Sequence, residues 1–431
     1  MPPPRERNSS AYELALRRFE EQNFSAFSRA HIPPNCVLLV EYSPSHGEVL
    51  CALVRYMLEL GYRVDVLLHT QLFLDNALKL GFDDRVRAFA TSPVHIEILL
   101  GSAQVEAYEF AFFNTLVIYQ IPPLSLPHFI PCRQPKNGFC AIDHNATLQY
   151  KRILPTQRIF SLLPNTFYPH FLNAHFFGTH SHAKNLEDST HPTHDECNAH
   201  PKSSENPHPT HDEPTRFLIA GRLSKDLSPL LKLFGRLAHT HTAFSLTIVG
   251  SYDKSLYDTH NLGDRLRFTG YVSYDTLYAH ARQSHFILPL LDASNPHHDR
   301  YLYDFSGSLG LSYGFGIIPI IHSKFASHFL LTQENALIYD DDSLFESLRQ
   351  ALDMPKSRIQ GKSQALRTLA SRLHAQSLEH IAQALQTPCP PIRYTLTSRI
   401  RAFLRQRYFR LRRRGKLLYL LCKSFLAQKR S

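Results

Sequence analysis

Short apolar runs alternate with helical patterns along most of the chain. Cys36–Glu41 (CVLLVE) reads as a strand, Tyr42–Glu48 as a polar loop, Val49–Leu60 as a helix stopped by Gly61, and Val64–Leu68 (VDVLL) as a second strand. A strand-loop-helix-strand unit of this kind predicts parallel strands joined by a right-handed crossover. Further runs at Thr115–Tyr119, Phe139–Ile142 and Ile159–Leu163 complete a first α/β domain. Ahead of it, Ala11–Arg29 has helical spacing with Tyr12, Leu16, Phe19 and Phe27 on one side, which gives that helix a packing role.

A second series follows the same grammar. Arg216–Ala220, Ser245–Val249, Leu266–Thr269, His285–Leu290 and Ala336–Tyr339 read as strands, with helices over Leu227–His239 and Tyr274–Arg282. The stretch DFSGSLGLSYGFGIIPII, Asp304–Ile321, reads as a helix start followed by a buried strand. Ser306 can cap that helix and leave backbone N–H groups at Gly307, Ser308 and Leu309 to attract an anion. Gly307, Gly310 and Gly314 strip one helix face of side chains, for close packing or for close approach to a ligand. Two such series predict two facing doubly wound domains, whose ligands sit beyond the carboxyl ends of the strands.

Between the series, from Gly178 to Pro214, the pattern disappears into His, Pro, Asn, Thr and Ser, and HPTHDE occurs twice, at His191–Glu196 and His208–Glu213. Its His and Asp residues have the chemistry of metal ligands, but nothing apolar is present to build a scaffold around them, so a disordered linker without metal is expected. The expected organisation is therefore a helical leader over 1–34, a first domain over 35–177, the linker over 178–214, a second domain over 215–388 and a tail over 389–431.

Composition changes the picture in two places. The chain has 431 residues, 43% of them apolar, and no uninterrupted apolar window long enough to span a bilayer, while its first ten residues lack the apolar core of a secretory signal. Seven scattered cysteines without a CxxC pair fit reduced thiols in a cytoplasm. The net charge of +10 comes from one place: Ile392–Ser431 holds 13 Lys and Arg and no Asp or Glu, leaving 34 basic against 37 acidic residues in the rest. In that tail Ile400, Phe403, Leu404, Tyr408, Leu411, Leu418, Leu421, Cys422 and Phe425 recur at helical spacing among the arginines. A basic amphipathic helix of this kind lies on an anionic membrane surface, and its apolar stripe argues against nucleic acid as the partner.

Candidate chemistry gathers where strands end. Gly221-Arg222-Leu223-Ser224-Lys225 follows the first strand of the second series and sets two cations three positions apart, suited to a diphosphate. Gly250 and Gly270 end the next two strands. In the first series the loop after the first strand carries His46 and Glu48, and Asp143-His144-Asn145 follows another strand. His46 has the ordinary pKa of a base near neutrality, with Glu48 as its orienting partner or as the base itself. The same residues also suit a helix start with Glu48 in its first turn, and both readings stand.

In order, AGRLSKD (Ala220–Asp226), LTIVG (Leu246–Gly250), RFTGYV (Arg267–Val272), ILPLLD (Ile287–Asp292) and SGSLGLSYGFGIIPII (Ser306–Ile321) resemble the donor-binding half of two-Rossmann (GT-B) glycosyltransferases of the family 1 and 4 type. The resemblance covers about Thr215–Leu385, less than half of the chain. It implies a sugar nucleotide held by Gly221, Arg222, Lys225, Gly250, Gly270, Asp304 and the Ser306-Gly307-Ser308 turn, with no metal or other cofactor. It also implies an acceptor side at His46, Glu48, Asp143, His144 and Asn145. Many retaining members carry two glutamates eight positions apart where this chain has Tyr303 and Leu311; Asp304 is the nearest carboxylate and Ser312 stands at that spacing from it. An inverting transfer is the resulting expectation. With the basic tail, the acceptor is expected to be a lipid-linked or lipopolysaccharide-type glycan at the cytoplasmic leaflet. The competing expectation is a two-Rossmann scaffold that has lost catalysis and tethers a partner to the membrane.

Overall fold

The structure is a computed structural model. It describes residues 10–41, 47–74, 84–99, 102–113, 133–143, 158–161, 214–221, 227–241, 243–250, 258, 260–302 and 306–386, with Leu404, Arg407, Leu411 and Gly415 of the tail.

The chain divides into two compact units. In the first, helix α1 (Ser10–Arg29) precedes β1 (Cys36–Glu41), α2 (Gly47–Glu59), β2 (Arg63–His69), the short α3 (Thr70–Leu74), β3 (Val86–Thr91), α4 (Pro93–Leu99), β4 (Ala111–Phe113), β5 (Phe139–Asp143) and β6 (Arg158–Ser161). All neighbours are parallel, in the order β3-β2-β1-β4-β5-β6. This is the 3-2-1-4-5-6 order of doubly wound nucleotide-binding sheets, with the strand order reversing between β1 and β4.

The second unit repeats it. Strands β7 (Thr215–Ala220), β8 (Phe244–Val249), β9 (Leu266–Gly270), β10 (Phe286–Ile287), β11 (Ile318–His322) and β12 (Leu337–Tyr339) form a parallel sheet in the order β12-β11-β10-β7-β8-β9. Counted from its own first strand this too reads 3-2-1-4-5-6, and the reversal lies between β7 and β10. Helices α5 (Ser228–Leu237), α6 (Tyr274–Gln283), α7 (Gly307–Phe315), α8 (Ser323–Ala326) and α9 (Leu344–Leu352) connect the strands. The long α10 (Lys356–Gln386) begins in this unit, and from Ser371 it belongs to the first.

The central strands β1, β2, β4, β10 and β11 are buried on both faces, as crossover helices require. On one face of the first sheet, Cys36, Leu38 and Val40 pack with Phe24 and Phe27 of α1, Ile96 of α4 and Phe113 of β4. In the second, Phe217 and Ile219 pack with Leu231 and Phe234 of α5, while Leu218, Ile287 and Ile317 meet Ala281 of α6 on the opposite face.

Several sequence expectations shift. The buried side of α1 is Leu14, Glu20, Phe24 and Phe27, about a third of a turn from the stripe read off Tyr12, Leu16 and Phe19, because the Glu20 carboxylate in the stripe finds polar partners in Thr70 of α3 and Arg17 of its own helix. Strand β3 was not expected: VRAFAT has one arginine and small residues, and most of it is only half-buried. Strand β4 lies at 111–113, before the run at Thr115–Tyr119, which is outside the described residues. Strand β10 stops at Ile287 rather than Leu290, since Pro289 has no N–H and Leu290 takes a left-handed φ of 54°. The linker over 178–213 and most of the basic tail lie outside the described residues. Leu404, Arg407, Leu411 and Gly415 are helical, and both leucines are exposed.

Candidate functional site

Three neighbouring strands of the second sheet end in glycine. Gly221, Gly250 and Gly270 have φ of 146°, 142° and 68°, conformations that a side chain would strain. Gly221 N–H donates to the Val249 carbonyl at 3.2 Å and Gly250 N–H to that of Gly270 at 3.0 Å, so backbone pairing reaches the rim, past a register shift in the β8-β9 pairing between Ile248 and Val249. A Cβ at Gly221 or Gly270 would meet nothing within 4 Å. Among the described residues, the ends of β7 and β9 thus present backbone with open space above Gly221 and Gly270.

Helix α7 begins at the same edge, because it runs back from the end of β10 to the start of β11. Ser306 stands at its N-cap position with extended backbone, as the sequence suggested. The detail differs: the Ser306 hydroxyl caps no N–H and lies 3.0 Å from the Ser308 hydroxyl. The Ser306 carbonyl accepts from Leu309 N–H at 3.0 Å and Gly310 N–H at 3.1 Å. Leu309 N–H is therefore already taken, and the first-turn donors left by helix geometry are Gly307 and Ser308. Gly310 and Gly314 are buried, which gives them a packing role. Gly307 is exposed, and a Cβ there would meet nothing within 4 Å. Among the described residues no packing demands a glycine at 307; closeness to a bound group would.

The far end of α7 is held firmly. Gly316 closes the helix in the left-handed conformation, Ser363 Oγ donates to its carbonyl at 2.7 Å, and Arg367 Nη2 donates to the Phe315 carbonyl at 2.8 Å. Burial pulls the Arg367 pKa below its ordinary value, so this guanidinium is a desolvated charge set on the negative end of a helix. Lys362, one turn earlier on α10, buries its ammonium against the carbonyls of Gln333 and Ala336 ahead of β12.

Of the donor-side residues, Gly221, Gly250, Gly270, Ser306, Gly307 and Ser308 are brought to one edge of one sheet. Arg222, Lys225 and Asp304 lie outside the described residues. So do His46, His144 and Asn145 on the proposed acceptor side. Glu48 sits in the first turn of α2 and Asp143 ends β5, both at the carboxyl edge of the first sheet, with side chains outside the described set.

Of the other groups at these edges, Asp292 reads from the sequence as a donor contact or a turn start, whereas Glu41, Leu290 and His298 carry no role there. Glu41 ends β1 fully buried, beside the reversal of the first sheet; the clue was a carboxylate closing an apolar run. Leu290, in a conformation that costs a bulky residue about 1–3 kcal/mol, marks a tight turn beyond β10. Asp292 opens the following turn, accepting from Ser294 N–H at 2.9 Å and Ser294 Oγ at 2.7 Å, bonds that hold its carboxyl below the usual range. His298, which carried no role in the sequence reading, accepts the Asp292 N–H through Nδ1 at 2.8 Å. Lys324 Nζ ties this segment to α8 through Asp299 at 2.6 Å and the Ala293 carbonyl at 3.0 Å.

No protein-family model matches the sequence, and no curated protein matches it significantly. Among solved structures the chain is similar to AviGT4, a glycosyltransferase involved in avilamycin A biosynthesis, at 16% identity over 82% of this chain and 97% of that one, with a TM-score of 0.46. A glycosyltransferase from Rickettsia africae ESF-5 follows at 11% identity, 83% and 100% coverage and a TM-score of 0.45. SnogD, a glycosyltransferase from Streptomyces nogalater, gives 13%, 81% and 99%, and 0.43. At such identities and scores these are likenesses of architecture only; two parallel α/β units, each with strand order 3-2-1-4-5-6, are what this chain's own sheets establish.

Proposed function

We propose that this protein is a glycosyltransferase that takes a sugar from a nucleotide-sugar donor bound by its second unit. The observation that carries the reading is the edge of the second sheet, where a side-chain-free glycine rim and the open first turn of α7 share the crevice at the β7/β10 reversal. Backbone N–H groups at a helix start suit a diphosphate, and the rim leaves room for it. Arg222 and Lys225, next in sequence after Gly221, would add the positive charge that a departing nucleoside diphosphate needs, in place of a metal ion.

In the inverting transfer proposed, an acceptor hydroxyl oxygen attacks C1 of the sugar as the bond from C1 to the phosphate oxygen breaks. The hydroxyl proton passes to His46 or Glu48, and the nucleoside diphosphate leaves with the electron pair of the broken bond. A lipid-linked or lipopolysaccharide-type acceptor is supported by the tail, whose 13 cations without a single acid and exposed Leu404 and Leu411 suit the cytoplasmic face of an anionic membrane. Among the described residues no helix is long and apolar enough to cross a bilayer.

The test is binding and turnover on a panel of nucleotide sugars. Arg222→Ala and Lys225→Ala should each weaken nucleoside-diphosphate affinity at least tenfold, since a charge-assisted phosphate contact contributes roughly 1.5–3 kcal/mol. Gly307→Val should leave the melting temperature within a few degrees and still abolish donor binding, because its new side chain enters space that only a ligand would use. Unchanged affinity in all three variants would sink the donor site. Binding without any turnover would favour the scaffold reading. Removal of residues 389–431 should release the protein from anionic vesicles while sparing turnover on a detergent-dispersed acceptor, and chelators should change neither.

A further inference from the structure

At the carboxyl ends of β2 and β3, away from the reversal of the first sheet, a polar cluster lies beneath helix α1. Glu20, Thr70, Thr91, Ser92 and His95 are all buried there. The Thr70 hydroxyl is 2.9 Å from Glu20 Oε1 and 3.1 Å from the Thr91 carbonyl, and Arg17 Nη1 donates to Glu20 Oε2 at 3.0 Å.

His95 occupies the place where a capping box normally has Glu or Gln. Ser92 precedes Pro93, the first residue of α4; its carbonyl accepts from His95 N–H at 2.9 Å, and its own N–H points to His95 Nδ1 at 3.4 Å, with Ser92 Oγ at 3.2 Å from the same nitrogen. An Nδ1 that accepts leaves the proton on Nε2, which faces Glu21 Oε1 of α1 at 3.4 Å. The ring also stacks on Phe24 of α1, centroids 4.4 Å apart and planes 7° from parallel. His69 repeats the arrangement one strand over: its Nδ1 accepts the Gln71 N–H at 3.1 Å, at the start of α3. Both rings must stay neutral to accept.

We propose that His69 and His95 form an acid-sensitive latch that holds α1 on the first sheet, and that protonation of the two rings opens it. A protonated imidazole donates from both nitrogens, so each helix start would lose its acceptor and have a donor facing its N–H. The groups around the rings set the balance. The charge of Arg17 opposes protonation of both rings, while Glu20, and Glu21 through its 3.4 Å contact with Nε2, partly offset that of His95. Burial first, then Arg17, pushes both histidines down to about 4 from an ordinary 6.5. A depressed folded pKa means that the closed state has its full stability above pH 6.5 and loses it as pH falls toward 4. Opening would bare edge strand β3 and the aromatic face of α1, including Phe27, whose ring now packs edge-on against Phe89 at 5.2 Å.

Hydrogen exchange of the full chain at pH 7.5 and 5.0, corrected for the intrinsic pH dependence of exchange, tests this directly. Peptides of α1 should open on the order of a thousandfold more at pH 5.0, since each ring depressed from 6.5 to about 4 contributes roughly thirtyfold, with onset below pH 6.5, while peptides of β1 and of α5 in the second unit keep their protection. The double variant His69→Gln, His95→Gln keeps an acceptor at both positions without a titrating group, and its α1 should be insensitive to pH. The latch is refuted if α1 protection does not change with pH, if β1 and β2 open in step with it, or if the double variant responds like the wild type. Should the double variant not fold, the wild-type series decides alone: an onset only below pH 5 would belong to carboxylates and overturn the proposal.

Discussion

Arg87→Met should cost the first unit about 3–5 kcal/mol of stability, seen as a large drop in its urea midpoint. Asp65 lies in the middle of β2, 1% exposed, and Arg87 of β3 grips it through Nε and Nη2, both at 2.7 Å. Tyr108 OH donates to the same carboxylate at 2.7 Å, and Arg87 Nη1 reaches the His31 carbonyl at 2.9 Å. The hydrogen bonds and charge of Asp65 raise the Arg87 pKa, so the guanidinium stays charged. The two halves of the pair are not equivalent. Arg87 is about one-third exposed and can turn to water, whereas Asp65 cannot. Removing the arginine strands a buried carboxylate with one phenol for company; Asp65→Asn leaves a neutral amide that still bonds both neighbours and should cost less than half as much. Equal losses in the two variants would show that the charge asymmetry is unimportant.

Gly316→Ala should cost roughly 3 kcal/mol, while Gly61→Ala, also at a left-handed helix end, should cost about 1 kcal/mol. The two share the backbone penalty, with φ of 67° and 84°. They differ in what surrounds them. A Cβ at Gly61 meets nothing within 4 Å, but at Gly316 it would stand 2.6 Å from Arg367 Nε and 2.8 Å from Ser363 Oγ. Those side chains would have to leave the carbonyls of Phe315 and Gly316, uncapping α7 at the end opposite its open first turn. Thermal unfolding of both variants measures the difference. A nucleoside-diphosphate titration of Gly316→Ala should also show weaker binding under the proposed function, because the helix start is positioned from its far end.

The sequence by itself determined the two α/β units and most of their strands. Their apolar runs are buried on both faces, and period, length and flanking glycines are local properties that survive without knowledge of neighbours. It also brought together Gly221, Gly250, Gly270 and the Ser306-Gly307-Ser308 turn, since parallel connectivity sends every strand end to one edge once the strands are recognised. It could not supply pairings between residues far apart in sequence. Asp65 with Arg87 and Tyr108, Arg367 with Phe315, and His95 with Glu21 join segments that only the sheet order makes adjacent. The histidines show a second limit. Among 26 of them, His69, His95, His285, His298 and His322 use Nδ1 to accept a backbone N–H. In four of the five the N–H lies within six residues, so the role is set by local turn geometry that hydrophobic periodicity does not report, whereas His285 reaches the Arg216 N–H only because the sheet brings the two segments together.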